Sequence, residues 1–126
     1  MTTPVRVLIA EDERIIAIDL GRRMVRLGHT VVANVRSGPE AISAAADAHP
    51  DLLLIDLQLA GPLTGREVAA QICAERPVPV IFLSGRAASA DLPAEDFPCP
   101  EFFLAKPFSD PALAATIAAA MADPPA

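Results

Sequence analysis

A chain of 126 residues that is 52% hydrophobic and 21% charged can bury a real core and fits one domain of ordinary size. Its net charge of −6 argues against direct binding of nucleic acid or of anionic membrane. The N-terminus has no basic region followed by an apolar core, and no apolar run approaches membrane-spanning length, so a single cytoplasmic domain over residues 1–126 is expected.

The first strand is predicted over residues 5–10, apolar apart from Arg6 and running straight into Glu11 and Asp12. From Glu13 the period changes. Ile16, Leu20, Met24 and Leu27 recur at helical spacing with Arg22, Arg23 and Arg26 opposite, and Gly28 is a natural stop. A second strand follows over 30–35. Ser37-Gly-Pro-Glu40 has the form of a capping box with proline in the first turn, opening a helix that ends before Pro50. The third strand covers 51–56, where Leu52, Leu53, Leu54 and Ile55 run unbroken into Asp56. Such a run reads as a strand buried on both faces of a parallel sheet.

A loop over 57–63 contains the breaker pair Gly61-Pro62, and Thr64-Gly-Arg-Glu67 is a second capping box. The helix it opens has Val68, Ala69, Ile72 and Cys73 on one face. Residues 78–83 are the fourth strand, ending in Ser84-Gly85. Residues 86–100 carry Pro93, Pro98 and Pro100 with little periodicity, so a fourth helix there should be short or irregular. The fifth strand spans 101–105 and ends in Lys106-Pro107. Ser109 then caps a last helix with Pro111 in its first turn and Leu113, Ile117 and Met121 as the buried stripe. Its other positions are mostly alanine, which favours helix and leaves a smooth outer surface.

Five strands alternating with helices indicate an α/β domain, a parallel sheet covered on both faces. With right-handed crossovers the expected architecture is a flavodoxin-like (βα)5 three-layer sandwich of strand order 2-1-3-4-5. Strands 1 and 3 are then neighbours across a topological switch point, beyond whose carboxyl edge ligands bind.

Each polar residue at that edge has a plain local explanation. Asp12 and Asp56 are suited to capping, Ser84 to a turn, and Lys106 to the solvated surface. Taken together, Glu11, Asp12, Asp56, Ser84 and Lys106 converge around the switch point, which five independent caps would not do. Three carboxylates so close repel one another unless a cation sits among them. Oxygen donors without His or Cys suit Mg²⁺, with Mn²⁺ able to substitute. Mg²⁺ commonly pairs carboxylates with phosphate oxygens, and a central carboxylate such as Asp56 can be the nucleophile that forms an aspartyl-phosphate. The metal, Ser84 and Lys106 would each hold one phosphoryl oxygen. The cysteines, Cys73 and Cys99, lie far apart with no Cys/His cluster, so a sulfur-bound metal is not expected and reduced thiols are.

The segments Val7-Leu-Ile-Ala-Glu11-Asp12-Glu13, Leu54-Ile-Asp56, Phe82-Leu-Ser84-Gly85 and Phe103-Leu-Ala-Lys106-Pro107-Phe108 resemble the response-regulator receiver domains of bacterial two-component signalling. The resemblance covers nearly the whole chain. It implies that Asp56 is the phosphoacceptor. It further implies that Asp12, Asp56 and the Gln58 backbone carbonyl hold Mg²⁺, with Glu11 acting through a bound water. Ser84 matches the switch hydroxyl, Lys106 the phosphate-pairing lysine, and Pro107 a cis proline. Phe103 matches the aromatic switch position and reads equally well as a core phenylalanine. Arg86, like Gln58, matches a position that tunes phosphate lifetime; whether it shields the acyl phosphate or faces solvent stays open. The loop after Asp56 lacks the common Met-Pro turn, and these features are similar to receivers associated with alphaproteobacterial HWE-type kinases.

The expected function is therefore a phosphorylation switch. A sensor histidine kinase or histidine phosphotransfer protein supplies the phosphoryl group. A downstream protein then reads the face made by the fourth helix, fifth strand and last helix, with no output domain. A phosphate sink or shuttle, a receiver fragment of a hybrid kinase and a non-phosphorylated docking module are the alternatives. The protein is expected to catalyse only its own phosphorylation and dephosphorylation, to contact neither nucleic acid nor membrane, and to be a monomer or a phosphorylation-dependent dimer. A phosphatase of the haloacid dehalogenase type would want a second acid where Gln58 stands. A flavodoxin would want a Ser/Thr/Gly-rich phosphate loop where Glu11-Asp12-Glu13 stands.

Overall fold

The computed structural model describes residues 4–85 and 97–122. Within them the strands are β1 (Arg6–Ala10), β2 (Thr30–Val35), β3 (Leu52–Asp56), β4 (Val80–Ser84) and β5 (Glu101–Ala105). The helices are α1 (Arg14–Arg26), α2 (Gly38–Ala48), α3 (Gly65–Glu75) and α4 (Asp110–Ala120). All strand pairings are parallel, in the order β2-β1-β3-β4-β5. The expected strand order is the observed one. No helix among the described residues is long and apolar enough to cross a membrane.

Period-two alternation divides the core between the two faces of the sheet. Val7, Ile9, Leu52, Leu54, Ile81 and Leu83 pack with Leu20 and Met24 of α1 and Leu113 and Ile117 of α4. Leu8, Leu53, Ile55, Val80 and Phe82 point the other way, against Ala41 of α2 and Val68 and Ile72 of α3. Every residue of β3 and β4 is buried, as strands covered on both faces require. The edge strands β2 and β5 are mostly half-buried.

Local chemistry sets the helix ends. Thr64 and Glu67 complete a reciprocal capping box. Ser37 accepts from the Glu40 N–H, but the Glu40 carboxylate accepts from Arg36 rather than from the Ser37 backbone, so the first box is half-formed. At the end of α1, Gly28 at φ +93° permits the paired bonds Gly28 N–H to the Val25 carbonyl and His29 N–H to the Met24 carbonyl. This motif delivers His29 to a buried place where its Nδ1 accepts from the Val5 N–H at 3.1 Å.

Several expected details are corrected. The third strand starts at Leu52, because Asp51 accepts the Arg6 N–H through its side chain. The fourth starts at Val80, because Pro79 has no N–H to offer a ladder. Met121 is 38% exposed; α4 ends one residue earlier and Ala120 completes its buried stripe. Most of the segment expected to hold a short fourth helix, with Arg86, lies outside the described residues, and residues 97–100 have no regular structure. Reduced thiols were the expectation for the cysteines; instead Cys73 of α3 and Cys99 just ahead of β5 form a disulfide with Cα atoms 6.1 Å apart.

Gly65 fixes how close α3 comes to the site. Its N–H donates to the Leu57 carbonyl at 3.0 Å. A Cβ there would overlap the Asp56 carbonyl oxygen and lie 2.9 Å from Leu57 Cα, both backbone atoms that cannot swing aside. Gly65→Ala is expected to cost about 3 kcal/mol, read as a lower urea midpoint at unchanged slope.

Candidate functional site

Register brings the polar strand ends to one height. Ala10 lies level with Ile55, Asp56 with Leu83, and Ser84 with Ala105. Alternation then continues the face of Ile9, Leu54 and Leu104 into Glu11, Asp56 and Lys106, and the face of Phe82 into Ser84. Glu11 is fully buried, Asp56 and Ser84 are nearly so, and Asp12 is half-buried.

Lys106 is the centre of this arrangement. Its Nζ donates to Glu11 Oε1 and to Asp56 Oδ2, both at 2.9 Å. Asp56 Oδ1 accepts from the Gln58 N–H at 2.9 Å, and Glu11 Oε2 from the Glu13 N–H at 3.0 Å. Asp56 is thus both the local turn-former that an isolated aspartate favours and a member of the charged cluster. Carboxylate oxygens of Glu11, Asp12 and Asp56 all lie within 4.8 Å of one another. Among the described residues one ammonium faces three acids, so with all three ionised the cluster carries excess negative charge in a shielded place. A small hard cation among these oxygen donors fits that chemistry.

The electrostatics follow from burial. The Glu11 carboxyl is pushed up from 4.5 to about 7, first by loss of solvent and further by the neighbouring Asp56 charge. Burial alone would lower the Lys106 pKa, but its hydrogen bonds to Glu11 and Asp56 outweigh this and the net shift is upward. In the metal-free protein, Glu11 therefore contributes stability that is present below 4.5 and lost as pH rises through about 7, an effect of about 3 kcal/mol. Burial lowers His29 from 6.5, which acts oppositely: its contribution is present above 6.5 and lost as pH falls. Glu11→Gln in EDTA should remove the loss toward pH 8 and leave the acid limb, measured as thermal midpoints from pH 5 to 8.

Lys106 joins Glu11 and Asp56 directly, with Asp12 at the edge of the cluster. Ser84 stands at the end of β4, and its carbonyl accepts the Lys106 N–H at 2.6 Å. Gln58 is exposed and touches Asp56 through its N–H. The Lys106-Pro107 bond is cis. Phe103 is half-buried with its ring stacked on Phe82, centroids 5.6 Å apart. Arg86 lies outside the described residues.

Other contributors were not legible in the sequence. Phe97 meets Phe82 edge-on, and the Arg66 guanidinium lies 4.9 Å over the Phe97 ring while pairing with Glu101. Arg23 of α1 pairs with Asp110 of α4 at 2.6 Å and lies over the Phe108 ring, bracing the chain that leaves Lys106. Ile15 and Ile18, 83% and 44% exposed, stand on the outer side of α1 next to the acidic loop. Periodicity marks such residues only as lying off the core stripe.

A profile of the response regulator receiver domain matches residues 7–118. The chain is 35% identical over 116 residues to the phyllosphere-induced regulator PhyR of Methylorubrum extorquens, covering 91% of this chain and 43% of that protein. With the transcriptional regulatory protein PdtaR of Mycobacterium tuberculosis it shares 35% identity over 81 residues, 64% of this chain and 39% of that one. The solution structure of the PhyR response regulator REC domain of Erythrobacter litoralis matches with a TM-score of 0.80 and 31% identity, over 98% of this chain and 96% of that one. The anti-anti-sigma factor PhyR of Bartonella quintana matches with a TM-score of 0.82 and 31% identity, over 96% of this chain and 49% of that one. The chain thus spans less than half the length of the full regulators among these relatives. With a profile match across nearly its whole length and the strand order of the fold, the chain belongs to the response regulator receiver domain family of two-component signalling.

Proposed function

We propose that the domain is a phosphorylation switch in which Asp56 accepts a phosphoryl group in the presence of Mg²⁺. The observation that carries this is the Lys106 ammonium shared between Glu11 and Asp56, with Asp12 in reach at the carboxyl edge of the sheet. An Asp56 carboxylate oxygen attacks phosphorus, and the bond from phosphorus to the donor breaks and leaves its electron pair with the donor. The Gln58 N–H and Lys106 orient the two Asp56 oxygens before attack. Asp12, Asp56 and the Gln58 backbone carbonyl would hold Mg²⁺ or Mn²⁺, with Glu11 acting through water, and the ion would supply charge neutralisation for the phosphoryl oxygens. Lys106 and Ser84 take the remaining oxygens, with Lys106 exchanging a carboxylate partner for the phosphoryl group.

The donor in this proposal is a histidine kinase or phosphotransfer protein docking beside the exposed Ile15 and Ile18. The phosphorylated state is read by a protein partner in the cytoplasm, and no substrate other than the domain itself is turned over. One PhyR relative is an anti-anti-sigma factor, which favours output through protein contact. The direct test is incubation with acetyl phosphate or beryllofluoride, with and without Mg²⁺, followed by mass spectrometry. A Mg²⁺-dependent adduct at Asp56 is expected. No adduct under either condition overturns the phosphoacceptor assignment.

A further inference from the structure

The disulfide between Cys73 and Cys99 lies away from the acidic cluster and has no part in phosphoryl transfer. Both residues are buried, at 4% and 6% exposure, yet they sit in unlike surroundings. Cys73 belongs to the regular last part of α3, whereas Cys99 lies in the irregular stretch before β5 between the exposed Pro98 and Pro100. The two cysteines are separated by 26 positions; the chain between them carries β4 and Ser84, and the strand that follows carries Phe103 and leads to Lys106. A covalent tie at this point therefore clamps the entry of β5 to α3.

The site also suits both oxidation states. Cys99 Sγ accepts the Val78 N–H at 3.2 Å, a bond that either a thiol or a disulfide sulfur can keep. Cys73 Sγ lies 3.5 Å from the Val78 carbonyl, so a Cys73 thiol has an acceptor as soon as the bond opens. Both sulfurs thus meet the backbone of Val78, and opening strands no buried polar group. A permanent staple needs no such provision. Lasting disulfides are rare in reducing compartments, where those that form are mostly transient or redox-sensing.

We propose that Cys73 and Cys99 are a reversible redox modification site, closed by a small-molecule disulfide such as oxidised glutathione and opened by its thiol form. In the closing direction the Cys99 thiolate attacks the glutathione disulfide and expels one glutathione thiolate. The Cys73 thiolate then attacks the Cys99 sulfur of that mixed disulfide and expels the second. Two protein thiols lose two electrons and two protons, and one glutathione disulfide becomes two glutathione thiols. Reopening runs the steps backward, entering at Cys99, whose flanking segment needs only a local opening to expose its sulfur. Closure immobilises the entry of β5. Its effect on signalling rests on the phosphoacceptor reading; the thiol chemistry does not.

The full chain is equilibrated, folded, in glutathione buffers of graded ratio, quenched by transfer into excess iodoacetamide in guanidinium chloride and weighed by mass spectrometry. The folded protein should pass from two alkylated cysteines to none as the disulfide fraction rises, and return when reduced glutathione is restored. Amide exchange within β5 should be about tenfold faster or more in the open form. C73A/C99A should show the fast exchange and no response to glutathione; wild type reduced and alkylated serves the same purpose if that variant does not fold. Thiols that persist in excess glutathione disulfide, or a bond that survives excess glutathione in the folded protein, would overturn the proposal. So would equal β5 exchange in the two forms. Acetyl phosphate labelling of each form, run in parallel, separates the two readings: if neither form is labelled, the phosphoacceptor reading fails while titration and exchange still judge the redox site.

Discussion

Asp56→Asn is expected to reduce labelling by acetyl phosphate to background while leaving the domain folded. An amide oxygen is a poor nucleophile toward phosphorus, so the group that forms the acyl phosphate is gone. The fold should tolerate the change for a structural reason. The Asn oxygen can still accept the Gln58 N–H, and Lys106 retains Glu11 as a partner. Loss of the Asp56 charge also removes a repulsion that helps to raise the Glu11 pKa. The net change in stability should fall within about 1 kcal/mol. Far-ultraviolet dichroism and the thermal midpoint report the fold, and phosphoprotein mass spectrometry reports the label. Undiminished label in a folded Asp56→Asn protein would move the acceptor to Glu11 or Asp12 and sink the assignment.

Lys106→Met should have the largest effect on stability. The wild-type ammonium, with its side chain 19% exposed, neutralises a Glu11 side chain at 0% and an Asp56 side chain at 6%. Removing it leaves two buried carboxylates together, and breaking a buried pair in this way typically costs about 3–5 kcal/mol. Two such acids cannot both ionise, so the folded protein should take up a proton, chiefly on Glu11. That sets the sign of the pH dependence. The variant should be weakest near pH 8 and recover toward pH 5, where protonating Glu11 costs little. Mg²⁺ should recover stability as well and bind more tightly than to wild type, because the ammonium no longer competes for the same oxygens. Urea denaturation at both pH values, in EDTA and in Mg²⁺, checks each arm. Wild-type stability for Lys106→Met in EDTA at pH 8 would mean that the ammonium does not compensate the acids.

Most of the scaffold was legible because its signals are local. The Leu52–Ile55 run declares a doubly covered strand, the α1 stripe declares a helix, and alternation of the two declares a parallel sheet. Once strand ends are assigned, Glu11, Asp12, Asp56, Ser84 and Lys106 necessarily share one edge. Boundaries were less legible where a side chain competes with the backbone, as at Asp51, or where proline cannot join a ladder, as at Pro79. The choice of Ala120 over Met121 in the α4 stripe turned on where the last helical turn ends.

The sequence by itself pointed to the alternating strands and helices and to the edge where the acids gather, which follow from residue type and from periods of 2.0 and 3.6. The strand order came from the handedness of crossovers, and the family resemblance from the four motifs at the strand ends. Only the tertiary structure decided which of those edge groups touch. It gave Lys106 to Glu11 and Asp56 together, brought α3 against Asp56 through Gly65, and joined Cys73 to Cys99. The reason is physical. Periodicity reports which way a side chain faces along its own element, whereas a contact between elements depends on register, crossover and helix approach. Those are fixed only when the two faces of the sheet pack at once.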